Sequence, residues 1–280
     1  MTTAAETLTL LPQRRRTPAV TQSIRTLAGR RFALTARTPR ELLVPLLTPV
    51  LFALVIAPAL KTALHTSASY EAYVAIGTVG LLVPLNTFFL GLGVIVDRES
   101  GAQRELLAAP VPRGLLVLGN LVVAIAVTGL QIATLIGLAV ARRFHFNAHG
   151  GRVLFFFAAA LLLTVAMYGA AETLASRIPR QEEYIARIPA IAIAPWFLAG
   201  SLFPITALPV PMQWFSRFLP LTHALALMRY GPKGDPSGLH AIWRMHDTTD
   251  MALLSLLVLS LFAVLLIRVA IRVFARTATK

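Results

Sequence analysis

Six times along this chain, apolar residues run for about twenty positions with almost no charge among them. The runs cover about 42–60, 73–96, 115–141, 153–175, 188–207 and 251–271. A helix needs about twenty residues to cross the hydrocarbon core of a bilayer. Backbone amides inside that core must bond one another, so runs of this length are expected as helices. The expected fold class is an all-α polytopic membrane protein with six transmembrane helices. Composition agrees: 14% of the 280 residues are charged, whereas a soluble domain carries about a quarter.

An even number of spans puts both termini on one side of the membrane. If that side is the cytoplasm, 18 Lys and Arg lie there and 8 lie opposite. Positive charge accumulates on the cytoplasmic side. The chain is therefore expected to cross an inner, plasma-type membrane many times, with N- and C-termini cytoplasmic. The loop carrying Arg142, Arg143 and Arg152 runs against this pattern. A net charge of +14 would suggest nucleic acid in a soluble protein. Here the basic residues gather at the ends of apolar runs, so membrane lipid is the expected partner and nucleic acid is not. There is no cysteine, hence no disulfide framework and no thiolate chemistry.

Residues 1–40 read as a basic cytoplasmic tail and interfacial helix ahead of a transmembrane domain over 41–280. The tail has eight arginines and no apolar core of a signal peptide. From Ile24 to Arg40, a helical projection sets Ile24, Leu27, Ala28, Phe32 and Leu34 on one side. Arg25, Arg30, Arg37 and Arg40 lie opposite. This predicts an amphipathic helix on the membrane surface, with Arg31 interrupting the apolar arc and snorkelling; a disordered basic tail is the alternative. The fifth run is interrupted by Pro189, Pro195 and Pro204, and Pro209, Pro211 and Pro220 follow. Stretch 200–223 stays apolar yet cannot be one straight span. Short helices re-entering the outer leaflet are expected, with Trp214 and Phe215 at the interface; an ordinary outer loop is the alternative.

Between the second and third runs lies "DRESGAQRELLAAPVPRG", residues 97–114. Drawn as a helix from Arg98, it sets Leu106 and Leu107 on one side, with Arg98, Gly101 and Glu105 opposite. Pro110 and Pro112 then stop the helix and return the chain to the membrane. Such an element, greasy side in and charged side out, suits docking of a soluble partner. The pattern Asp97-Arg98-Glu99-x-Gly101-x-x-x-Glu105-Leu106-Leu107-x-x-Pro110-x-x-Arg113 resembles the signature of ABC-2 type transporter permeases, closest to the daunorubicin-resistance drug-export branch. The basic N-terminal helix, the six spans and "LFP…LP…LPLTHAL…R" from Leu202 to Arg229 extend the resemblance. The last is similar to that family's re-entrant outer hairpin after span five. Gln103, Ala109 and the basic loop 142–152 depart from the pattern.

The resemblance implies that this loop is a coupling helix seated in a groove of a separate ATP-hydrolysing subunit. Its coupling residues would be Asp97, Arg98, Glu99, Gly101, Arg104, Glu105, Leu106, Leu107, Pro110 and Arg113. It also implies two permease halves, as a homodimer or heterodimer, with two ABC ATPase copies. The sequence has no G-x-x-x-x-G-K-[ST] loop to cradle phosphates. ATP and Mg are therefore expected on the partner, with no cofactor bound by this chain.

Polar residues inside spans are functional candidates because lipid makes them costly. In the third run Asn120, Thr128, Gln131 and Thr134 fall within one helical face, expected to look into the bundle or a dimer interface. Interhelical hydrogen bonds, worth about 0.6 kcal/mol each, are the plainer role for them; a substrate path, joined by Phe203, is the other. Glu172 could gate, or pair with Arg177 at the interface. His145 and His149 have no third ligand nearby, so no metal site is expected. No arrangement of catalytic residues occurs, and Glu172 is the single acid in the expected spans, which disfavours an embedded enzyme or an ion-driven carrier. The expected function is export of a hydrophobic or amphipathic compound: a drug, natural product or lipid. Polysaccharide or glycolipid export is the alternative; it would favour aromatic tracks, and the chain has 3 Trp and 5 Tyr.

Overall fold

A computed structural model describes residues 20–37, 68–141 and 150–277, with scattered positions between 43 and 62. The first expected span is described in part, including a π-helical turn over Phe52–Ile56, while Arg40, His145 and His149 lie outside the described residues. Among the described residues every regular element is helical. Helix α1 covers Val20–Arg37, α2 Ala68–Glu99, α3 Ala102–Ala108, α4 Arg113–Ala141 and α5 Val153–Ala175. Helix α6, Gln181–Ile188, continues through a π-helical turn, Pro189–Ile193, into α7, Ala194–Leu198. Then follow α8 Val210–Phe218, α9 Pro220–Lys233, α10 Ser237–Trp243 and α11 Thr248–Thr277.

Four stretches are long and apolar enough to cross a membrane: Tyr73–Glu99, Arg113–Leu138, Val153–Ala175 and Thr248–Thr277. They match the second, third, fourth and sixth expected spans. The fifth is shifted and subdivided. Its helical run begins at Gln181 and ends at Leu198, because Gly200 turns the backbone to φ 81°. Pro189 and Pro195 fall at the first and second positions of helical pieces, in the first turn where a missing N–H costs least, so they segment the run without ending it. The run lies antiparallel beside α2. Gln181 bonds Glu99 at one end, the Tyr184 hydroxyl donates to the Phe88 carbonyl (2.9 Å), and Trp196 Nε1 donates to the Gly77 carbonyl (2.7 Å).

Helix α5 packs on α11, α9, α2 and α4. A Cβ on its Gly169 would stand 2.7 Å from backbone atoms of Leu266 and Ile267, so only glycine lets α5 and α11 cross this closely. Close backbone approach is a main source of helix association in lipid, where no hydrophobic force acts between helices. The far side of α11 exposes Leu253, Leu257, Leu261 and Leu265, a helical apolar stripe suited to lipid.

Helix α1 lies along α4 with only part of its predicted apolar side inward, Leu27 and Ala28 packing against the core. Ser23, Arg31 and Thr35 are buried, while Phe32 and Leu34 are exposed. Arg31 does not snorkel. It crosses α2 at Gly93, where any Cβ would lie 1.4 Å from its Nη2, and donates to the Leu90 carbonyl at 3.0 Å. The glycine slot thus offers the guanidinium a carbonyl acceptor at its edge, with the Asp97 carboxylate 4.0 Å away.

Candidate functional site

The charged segment is not one helix from Arg98. Helix α2 continues to Glu99, and Gly101, at φ 80°, breaks the chain before α3 begins. That left-handed geometry costs a side-chain-bearing residue about 1–2 kcal/mol, so the signature glycine serves as a joint. The predicted coupling residues divide accordingly. Asp97 is buried and pairs with Arg30 at 3.0 Å, with Arg31 at 4.0 Å. Arg98 donates to the carbonyls of Ala175 (3.3 Å), Pro179 (3.2 Å) and Ile178, at the C-terminal end of α5. Glu99 accepts from Gln181, and Arg113 donates to the Ala275 carbonyl (2.9 Å) near the end of α11. Cations at the carbonyl ends of helices are favourably placed.

Helix α3 keeps the predicted polarity. Leu106 and Leu107 are half-buried against the core, and Arg104, Glu105 and Pro110 are exposed. The structure therefore separates a presented surface, Arg104 and Glu105, from the fastenings Asp97, Arg98, Glu99 and Arg113. Those fastenings tie the α3 junction to α1, α5, α6 and α11.

The polar face predicted on α4 is only partly inward. Thr128 accepts from Asn86 Nδ2 at 2.5 Å, and Gln131 is buried, but Thr134 is exposed and bonds its own helix at Leu130. Asn120 borders a small recess with Arg30 and Asp97 beside α3, while Phe203 lies near the opposite end, past Gly200. The five residues do not converge within one chain. Glu172 does not pair with Arg177: it is fully buried and accepts from Tyr168 at 2.5 Å, while Arg177 is exposed beyond the end of α5.

Among the described residues, two cavities stand out as wide enough for small molecules. An apolar cleft of about 450 Å³ between α4 and α5 is lined by Thr128, Phe157 and Thr164 among others. A second, of about 460 Å³, lies at the end opposite α3 and is lined by Tyr73, Thr222, Arg229, His240 and Arg244 with apolar neighbours. In the sequence Arg229 closes the stretch that resembles the outer hairpin and Arg244 enters only as a charge; neither is expected to line a cavity. The available signal was an arginine set among "ALALM", where burial demands compensation.

Membrane-long helices round a common core, with a short charged helix at one end, define an all-helical domain of the membrane-spanning class. A family model of ABC-2 type transporters matches residues 22–231, from α1 through most of α9. The chain belongs to the ABC-2 type transporter family. No curated protein matches it.

Proposed function

We propose that this chain is the membrane-spanning subunit of an ATP-driven exporter and that α3 receives the motion of a separate ATPase. The observation that carries this reading is the division of labour around α3. Exposed Arg104 and Glu105 stand on a helix whose two short connections lead into α2 and α4. The residues flanking it grip α1, α5, α6 and α11. A partner pushing on α3 would thus displace most of the described bundle as a unit. ATP and Mg are on that partner, present in two copies, and the α3 end faces the cytoplasm.

The cargo is a hydrophobic or amphipathic compound taken from the bilayer, as in the drug-export branch the signature resembles. The apolar cleft between α4 and α5 supports this, and exposed Gly129, Ala133 and Gly137 on α4 give a second permease half a close-packing edge. The stretch 200–223, with Trp214 and Phe215 exposed, sits as a re-entrant hairpin in the outer leaflet. The test is co-purification of the ATPase, with transport, for Arg104→Glu and Glu105→Lys. Reversal at a docked surface adds repulsion, so retention should fall about tenfold or more at unchanged expression. Wild-type retention and transport in both variants would sink the coupling role.

A further inference from the structure

Arg229 is 3% exposed on α9, in the wall of the cavity opposite α3. Its guanidinium carbon stands 3.4 Å from the centroid of the Tyr73 ring, and Nη2 donates to the Ser201 carbonyl at 3.1 Å. Its Nε has no hydrogen-bond partner. Seven residues back on the same helix, Thr222 is also 3% exposed, lines the same cavity and carries an unpartnered hydroxyl. Arg244 and His240 line it from the α10 side, and no carboxylate does. Asp235 acts on Arg229 from outside the lining.

A buried cation whose direct contacts are all neutral, with a carboxylate only at longer range, is costly beside an orphan hydroxyl unless something negative completes the set. Burial draws Arg229 below its ordinary value, to about 10, which leaves it charged at neutral pH. The remaining wall includes Pro204, Ile205, Ala226 and Ala241, against which water gains nothing and a hydrocarbon does. Near this end, the exposed Trp214, Phe215 and Phe218 of α8 suit the membrane interface, where lipid headgroups begin. We propose that this cavity binds the anionic headgroup, phosphate or carboxylate, of an amphipathic molecule, with Arg229 and Arg244 as its cationic contacts and Thr222 as its neutral donor.

The site needs no ATPase, so its test is separate from that of the export reading. Full-length protein in a neutral detergent is titrated calorimetrically with dihexanoyl-phosphatidic acid, dihexanoyl-phosphatidylcholine and inorganic phosphate. Saturable binding of the phosphatidic acid is expected, weakened about tenfold by Arg244→Gln and at least as much by Arg229→Gln. Arg229→Gln also removes contacts to Tyr73 and Ser201, so the exposed Arg244 supplies the variant least able to disturb the fold. Phosphatidic acid binding more tightly than phosphate supports an amphiphile as the occupant; equal affinity identifies the free anion and overturns the amphiphile. Absence of saturable binding, phosphatidylcholine binding as tightly as phosphatidic acid, or indifference to both arginine substitutions overturns it.

Discussion

Arg31 and Gly93 are two halves of one contact. The guanidinium occupies the space a side chain at Gly93 would need, and the Leu90 carbonyl and Asp97 carboxylate receive it there. Gly93→Ala must therefore expel Arg31, as Arg31→Ala removes it. Each is expected to cost about 1–3 kcal/mol, the range for a buried charge-assisted hydrogen bond. The double variant should be little worse than either single, since both delete the same interaction. Thermal unfolding and hydrogen exchange in α1 check this, and additive losses would show that the two residues act separately. No projection of residues 24–40 alone could reveal the contact. A hydrophobic arc ranks side chains by polarity, and the slot that makes Arg31 an inward residue lies on another helix some sixty positions later. Gly101 read in the sequence as one position on the charged side of a continuous helix, whereas its φ of 80° makes it a backbone joint.

Helix α9 is held among α2, α5 and α11 partly by a chain of polar groups. His223 Nε2 lies 2.9 Å from the Arg217 carbonyl, which can only accept, so that nitrogen carries the proton. Its Nδ1, 3.3 Å from Ser255 Oγ, is then the acceptor for the serine hydroxyl, and Ser255 in turn accepts from Trp243 Nε1 at 2.7 Å. Burial lowers the His223 pKa below its ordinary 6.5, favouring this neutral form. The unfolded chain thus takes up the proton at higher pH than the folded one. Stability is fully present above about pH 6.5 and falls as pH drops from there toward the lower folded value. Thermal midpoints at pH 7.5 and 5.5 should show that drop, and His223→Gln should flatten it. An unchanged slope in the variant would assign the effect to another group. At this scale proline positions were informative and proline consequences were not. Pro189 and Pro195 read as interruptions, yet in the first turns of helical pieces they let the run from Gln181 to Leu198 continue.

Across the whole molecule, the α3 junction and the Arg229 cavity mark opposite ends of α2. The run Gln181–Leu198 bridges that distance, from Glu99 beside Gln181 to Gly77 beside Trp196. Its 18 helical residues would rise about 27 Å, close to the hydrocarbon thickness, although no single piece is long enough alone. The side on which α11 begins depends on whether this run crosses the membrane. Starting from Ser100, α4 leaves that side and α5 returns to it. His246, in the exposed turn before α11, lies opposite Ser100 only if the segmented run makes a further crossing. The sequence has no native cysteine, so single-cysteine variants report without background. In intact cells Ser100→Cys should resist an impermeant maleimide until the membrane is opened, and His246→Cys should react at once. Labelling of both from the same side would mean that the run does not cross, and labelling in the reverse order would place α3 outside the cell, away from any ATPase.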